Sequence, residues 1–102
     1  MCQKLKIVII MPKLRYPLKK YIKAVEKIAE EKGLSRVESF PTKGSIVRFE
    51  LFEEGTDVPT CFWVVHHDHN RKKEIISKED YRKAAARLNC TLDELIKKIE
   101  CV

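Results

Sequence analysis

Residues 61–88, CFWVVHHDHNRKKEIISKEDYRKAAARL, constrain what this chain can fold into more than any other stretch. They open on a β-branched and aromatic run, Phe62-Trp63-Val64-Val65, which reads as a strand. Three histidines and a basic turn, Arg71-Lys72-Lys73, follow, and a helix starts after Ser77. A strand joined to a helix in this way buries both ends and leaves the turn in water, where binding and catalytic side chains concentrate.

The remaining elements supply the scaffold. Tyr16 to Lys32 is a helix, with Pro17 suited to its first position and Gly33 to the residue past its end. Leu18, Tyr21, Ile22, Val25, Ile28 and Ala29 recur at three- and four-residue steps as one apolar stripe, while Lys19, Lys20, Lys23 and Lys27 fall outside it. Ser35–Phe40 is a short strand closing at Pro41. Ser45–Glu53 alternates, with Val47, Phe49 and Leu51 on one face and Arg48 and Glu50 on the other. The turn Glu54-Gly55-Thr56-Asp57 leads into a third strand, Thr60–Asp68. There Phe62, Val64 and His66 share one face, and Cys61, Trp63, Val65 and His67 the other. Ser77 with Asp80, and Thr91 with Glu94, read as capping boxes for two closing helices. Tyr81, Ala84, Ala85 and Leu88 form the buried side of the first of these helices, and Leu92, Leu95, Ile96 and Ile99 that of the second. The order α-β-β-β-α-α predicts an α+β domain over residues 16–102, a three-stranded antiparallel sheet with helices packed on one face. Residues 1–15 read as a leader or a short strand.

A chain of 102 residues is one domain, able to bury roughly 60–65% of its unfolded surface without metal or disulfide help. Its net charge of +6 is unevenly spread. Residues 1–32 carry nine Lys/Arg against three Glu, residues 33–70 three against six acids, and residues 71–102 nine against six. Two basic ends meeting in space would make a cationic face suited to a polyanion such as nucleic acid, and solvated lysine-rich helices are the alternative reading. The charged fraction of 35%, rich in Lys and Glu, leans toward adaptation to high temperature. Cys2, Cys61, Cys90 and Cys101 are isolated, with no pairing at zinc-ligand spacing. Leu5–Met11, LKIVIIM, is too short to span a bilayer, so a reduced, cytoplasmic protein is expected. A disulfide stays open for a high-temperature source.

His66, His67 and His69 with Asp68 admit three readings: surface or structural histidines, RNA contact or chemistry, and metal binding. RNA cleavage through the 2′-hydroxyl needs a base and an acid, and imidazoles titrate in the right range. On that reading His67 or His69 is the acid or base, and Arg71, Lys72 or Lys73 stabilises the phosphorane. Alternation sends His66 and His67 to opposite faces, which leaves His67, His69 and one carboxylate as a thin ligand set. No metal or other cofactor is expected.

From about Tyr16 onward the chain resembles the HicA-type toxins, small mRNA interferases with a fold like that of double-stranded-RNA-binding domains. The element order carries the resemblance, with Lys43-Gly44-Ser45 opening the second strand, histidine ending the third, and Ala86-Arg-Leu-Asn-Cys-Thr-Leu-Asp-Glu-Leu95 matching the terminal segment. The family motif is Gly-Ser-His, whose histidine is regarded as catalytic. Ile46 stands in that position here, an aliphatic group that moves no proton near neutral pH. The resemblance implies RNA binding, with mRNA interferase activity weakened or lost, and a partner resembling an antitoxin. The RNA contacts would come from Lys19, Lys20, Lys23, Lys27, Lys43, Ser45, Arg48, Arg71, Lys72, Lys73 and Lys78. A duplex-RNA-binding module without chemistry fits the same residues. A protein–protein adaptor is a further reading, and a DNA-reading helix-turn-helix over residues 81–99 ranks last because Asp93 and Glu94 repel phosphate.

Overall fold

A computed structural model describes residues 14–34 and 36–102. Of residues 1–15, read as a leader or short strand, residues 1–13, with Cys2, lie outside the described residues. Within them the elements are β1 (Tyr16–Pro17), α1 (Leu18–Glu31), β2 (Arg36–Pro41), β3 (Ile46–Phe52), β4 (Cys61–His66), β5 (Glu74–Ile75), α2 (Lys78–Arg87) and α3 (Leu92–Cys101). The main sheet is antiparallel in the order β2-β3-β4, as the alternation predicts. Two short strands are added to the expected order, β1 pairing antiparallel with β5.

That small pairing corrects the start of α1. Tyr16 is held extended across from Ile75, and its backbone N–H donates to the Tyr81 hydroxyl at 3.0 Å. Pro17 therefore becomes the N-cap, with ψ of 144°, and the helix begins one residue later. Its far end closes as a Schellman motif: Gly33 (φ +79°) donates to the Glu30 carbonyl and Leu34 to the Ala29 carbonyl. At the end of α2 Asn89, also in the left-handed region at φ +57°, does the same work.

Tyr21, Val25 and Ile28 from α1, Tyr81, Ala84 and Leu88 from α2, and Leu95 and Ile99 from α3 meet Val47, Phe49, Leu51, Trp63 and Val65 in one buried cluster. All three helices thus cover the same sheet face. The other face carries Arg36, Glu38, Phe40, Ile46, Arg48, Glu50, Phe52, Phe62, Val64 and His66, with Phe52 buried under Arg36. Pro41 is the last residue of β2, where the sequence predicts the strand to close. The Thr42 N–H donates to Ile46, so the even residues of β2 face β3 and the missing donor of Pro41 points to the free edge.

The expected capping box at Ser77 does not form. Ser77 is the N-cap of α2, but its side chain makes no capping bond. Asp80, buried at 3% exposure, turns instead to β4, whose outer edge lacks a strand partner among the described residues. Its Oδ2 accepts from the His66 backbone N–H at 2.9 Å, and its Oδ1 lies 3.4 Å from Lys83 Nζ. Lys83 Nζ also donates to the Val64 carbonyl and Arg87 Nε to that of Phe62. One face of α2 therefore occupies the unpaired polar groups of an edge strand.

The second box does form. Glu94 N–H donates to Thr91 Oγ1 at 3.1 Å, and Thr91 N–H donates to Glu94 Oε1 at 2.8 Å. Thr91→Ala is expected to lower stability by about 1 kcal/mol, read from the midpoint of urea unfolding at unchanged slope.

Cys61, Cys90 and Cys101 are free thiols, and burial pushes the first two above their ordinary pKa. Among the described residues no helix is long and apolar enough to cross a membrane.

Candidate nucleic-acid interface

Residues 67–73 connect β4 to β5 as a tightly closed loop. Asp68 N–H donates to the Glu74 carbonyl, and Lys73 N–H to that of Asn70, both at 3.0 Å. Lys73 adopts φ +52°, a left-handed conformation uncommon for a lysine, which completes the turn. Asn70 donates from its backbone to Asp68 Oδ1 and from its amide to Asp68 Oδ2 and Glu74 Oε1.

Arg15 arrives from the other end of the chain and joins these carboxylates. Its Nη2 lies 3.1 Å from Asp68 Oδ2 and 2.9 Å from Glu74 Oε1, and its Nε donates to Glu74 Oε1 at 3.1 Å. One guanidinium thereby binds both acids of the loop. The sequence carried no signal for it, because its partners lie more than fifty positions away.

The histidines occupy three different environments. His67 is half-buried, donates its backbone N–H to the Ser45 carbonyl at 3.0 Å, and places Nδ1 2.7 Å from the Asp68 carbonyl. A carbonyl oxygen only accepts, so Nδ1 carries the proton of this bond. His69 is exposed at the loop tip. His66 lies on the open sheet face, directly across from Ile46. That cross-strand register, invisible in the sequence, puts the His66 imidazole beside the Ile46 side chain. Asp68 is engaged by Arg15 and Asn70, and among the described residues no group of His, Cys, Asp and Glu is arranged to hold a metal ion.

Most of the singled-out cations converge on one end of the domain. Leu18 N–H donates to the Lys73 carbonyl at 3.2 Å, which seats the first turn of α1, with Lys19 and Lys20, beside the Arg71-Lys72-Lys73 loop. The His67–Ser45 bond brings in the β2–β3 turn with Lys43. The Tyr21 hydroxyl donates to the Asp80 carbonyl at 2.7 Å and fixes the start of α2, with Lys78, against the same end. Lys19, Lys20, Lys43, Arg71, Lys72, Lys73 and Lys78 are all exposed, and none has a salt-bridge partner among the described residues.

Three other candidates lie elsewhere. Lys23 and Lys27 sit further along α1, lining an open groove of about 690 Å³ with Glu26, Glu30 and Arg36. Arg48 belongs to the open sheet face, where its Nε lies 2.9 Å from Glu50 and its guanidinium 3.8 Å from the Phe62 ring centroid.

This arrangement can attract and hold phosphate groups. The closed loop and the paired helix starts fix the backbone, so the cations are displayed from a rigid rim rather than from a floppy tail.

Comparison with protein-family models, with curated proteins and with solved structures finds no match. The function therefore has to be read from the site.

Proposed function

We propose that this chain is an RNA-binding domain, the part of the HicA-type resemblance that its geometry favours, and that it acts in the cytoplasm. The observation that carries this reading is the convergence of Lys19, Lys20, Lys43, Arg71, Lys72, Lys73 and Lys78 on one end, where Asp68 and Glu74 share Arg15, which offsets one of their two charges. A local excess of cations gains affinity by releasing counterions from a phosphate backbone.

The test is a mobility shift with labelled RNA across a salt series. Wild-type protein is expected to bind with affinity that falls linearly in log salt. Lys19→Ala, Arg71→Ala and Lys72→Ala should each flatten the slope by about 0.7–0.9. Lys23→Ala and Lys27→Ala, beside Glu26 and Glu30, should change it less. Binding without salt dependence, or pole variants that bind like wild type, would overturn the reading.

A second reading, RNA cleavage, is favoured by one observation: His66 stands across from Ile46 on the neighbouring strand. It requires that wild-type protein cut the labelled strand in the same incubations and that His66→Gln abolish cutting while leaving the shift in place.

A further inference from the structure

We propose that the open face of the β2-β3-β4 sheet is a stacking platform for unpaired RNA bases, with Phe62 and Phe40 as its aromatic groups and Arg48 between them. The inference rests on the RNA-binding reading and specifies the RNA: single-stranded rather than duplex.

The helices bury one sheet face; on the other, Phe52 is buried at 3% exposure beneath the Arg36 guanidinium at one end, while Phe40 and Phe62 remain exposed. On that open face Phe62 is 49% exposed and Phe40 36% exposed, at a cost in apolar surface left in water. The register sets their layout. Phe40 lies directly across from Arg48 and Arg48 across from Val64, while Phe62 sits one step along, across from Glu50. Phe40, Arg48 and Phe62 therefore run diagonally over all three strands. With strands about 4.8 Å apart and a two-residue offset, the two phenylalanines are roughly 12 Å apart along the backbone grid, enough for each to receive its own base.

Arg48 adds a planar cation to the row. Its guanidinium rests 3.8 Å from the Phe62 centroid and is oriented by Glu50 at 2.9 Å, yet its side chain keeps 31% exposure. An arginine plane and an aromatic ring both stack on bases, and such stacking tolerates any sequence because every base has a π-face.

Charge divides the labour between platform and pole. Glu38 and Glu50 are each bonded to an arginine of the same face, Arg36 and Arg48, so this surface is balanced and offers phosphate little. The unpaired lysines and Arg71 lie beyond its upper rim, where His66 pairs with Ile46 and the Lys43–Ser45 turn begins. A single strand can place its phosphates at the pole and its bases on the face. A duplex, whose bases are already stacked, can use only the pole.

The test compares three probes at one salt concentration: a single-stranded RNA, a strand of the same length without bases, and a duplex of the same length. Wild-type protein is expected to bind the intact single strand roughly tenfold or more tighter than the abasic strand. Phe62→Ala and Phe40→Ala should erase most of that difference without changing the salt slope, and Phe62→Trp should preserve it. Equal affinity of wild type for intact and abasic strands would overturn the platform while leaving the cationic pole intact. The platform also fails if Phe62→Ala binds RNA like wild type and alters only self-association, which would make the face an interface between copies. Wild-type protein that binds none of the three probes would overturn the platform and the RNA-binding reading together.

Discussion

Replacing Tyr21 by phenylalanine is expected to destabilise the domain by about 2–3 kcal/mol although no carbon atom is lost. The Tyr21 hydroxyl is buried where all the layers meet. It donates to the Asp80 carbonyl at 2.7 Å and accepts from Trp63 Nε1 at 3.1 Å. Trp63 is itself buried at 3% exposure and has this one partner for its indole N–H, so the variant strands a donor with no water to replace the bond. The ring would stay seated against Phe49 and Tyr81, at centroid separations of 5.3 and 5.7 Å, so the loss reports the polar bridge and not a cavity. For a domain of this size the change corresponds to a fall of roughly 10–20 °C in melting temperature. Thermal unfolding followed by circular dichroism measures it, and a loss below a few tenths of a kcal/mol would show that the bridge contributes little.

The second large effect is alkaline instability. The chain has three tyrosines, and all three phenols are held in the neutral form. Tyr16 is pushed up to about 12 first by its hydrogen bond to Glu100 at 2.6 Å, then by burial and the Glu100 charge. Tyr81 reaches about 12 chiefly through burial, and burial also drives Tyr21 far above its ordinary value. A phenol whose pKa is raised on folding contributes stability that is fully present below the unfolded value of about 10 and is lost as pH rises through the folded value. Tyr81, with no exposed surface, accounts for roughly 3 kcal/mol of this between pH 10 and 12. Urea midpoints should therefore begin to decline above about pH 9, where the raised Cys61 and Cys90 thiols contribute, and fall steeply above about pH 10. Phenolate absorbance should show no tyrosine titrating near 10 before the protein unfolds. Phenolate appearing at pH 10 in folded protein would contradict the buried network, and Tyr81→Phe should remove that residue's share of the slope.

What the sequence revealed and what it withheld divide along one physical line. Val47, Phe49 and Leu51 alternate within a strand, the stripe through Tyr21, Val25 and Ile28 repeats within a helix, and Thr91 bonds three residues ahead. Each is a local pattern, and each formed where expected. Asp80 had the same local signature as Glu94 but answered to a distant His66 N–H, so the Ser77 box was outcompeted by a bond that no nearby spacing announces. Arg15 reached Asp68 and Glu74 in the same non-local way. The two-residue strands β1 and β5 are too short to carry any period at all.

The candidate site follows the same rule. Composition showed that the chain ends were basic, and the helix stripe showed that Lys19 to Lys27 lie outside the core. Strand direction and three long-range hydrogen bonds decided which cations share one end: those of Leu18 with Lys73, His67 with Ser45, and Tyr21 with Asp80. Lys23 and Lys27 look equivalent to Lys19 and Lys20 in the sequence, yet they lie one and two turns further down α1. Phe62 was legible as sharing a face with Val64 and His66, but alternation alone does not say which face the helices cover.

The clasp of α2 on β4 also limits how the molecule can associate with itself. A sheet with two accessible rims can recruit neighbours on both sides and grow into a fibre, whereas a sheet with one rim can pair once and then stops. Asp80, Lys83 and Arg87 occupy the β4 rim with side chains of the same molecule, and on the β2 rim Pro41 withholds a donor from any incoming strand. The helix that seats Lys78 at the cationic end thus also closes one rim of the main sheet, leaving β2 as the only rim of that sheet, among the described residues, on which another strand could pair.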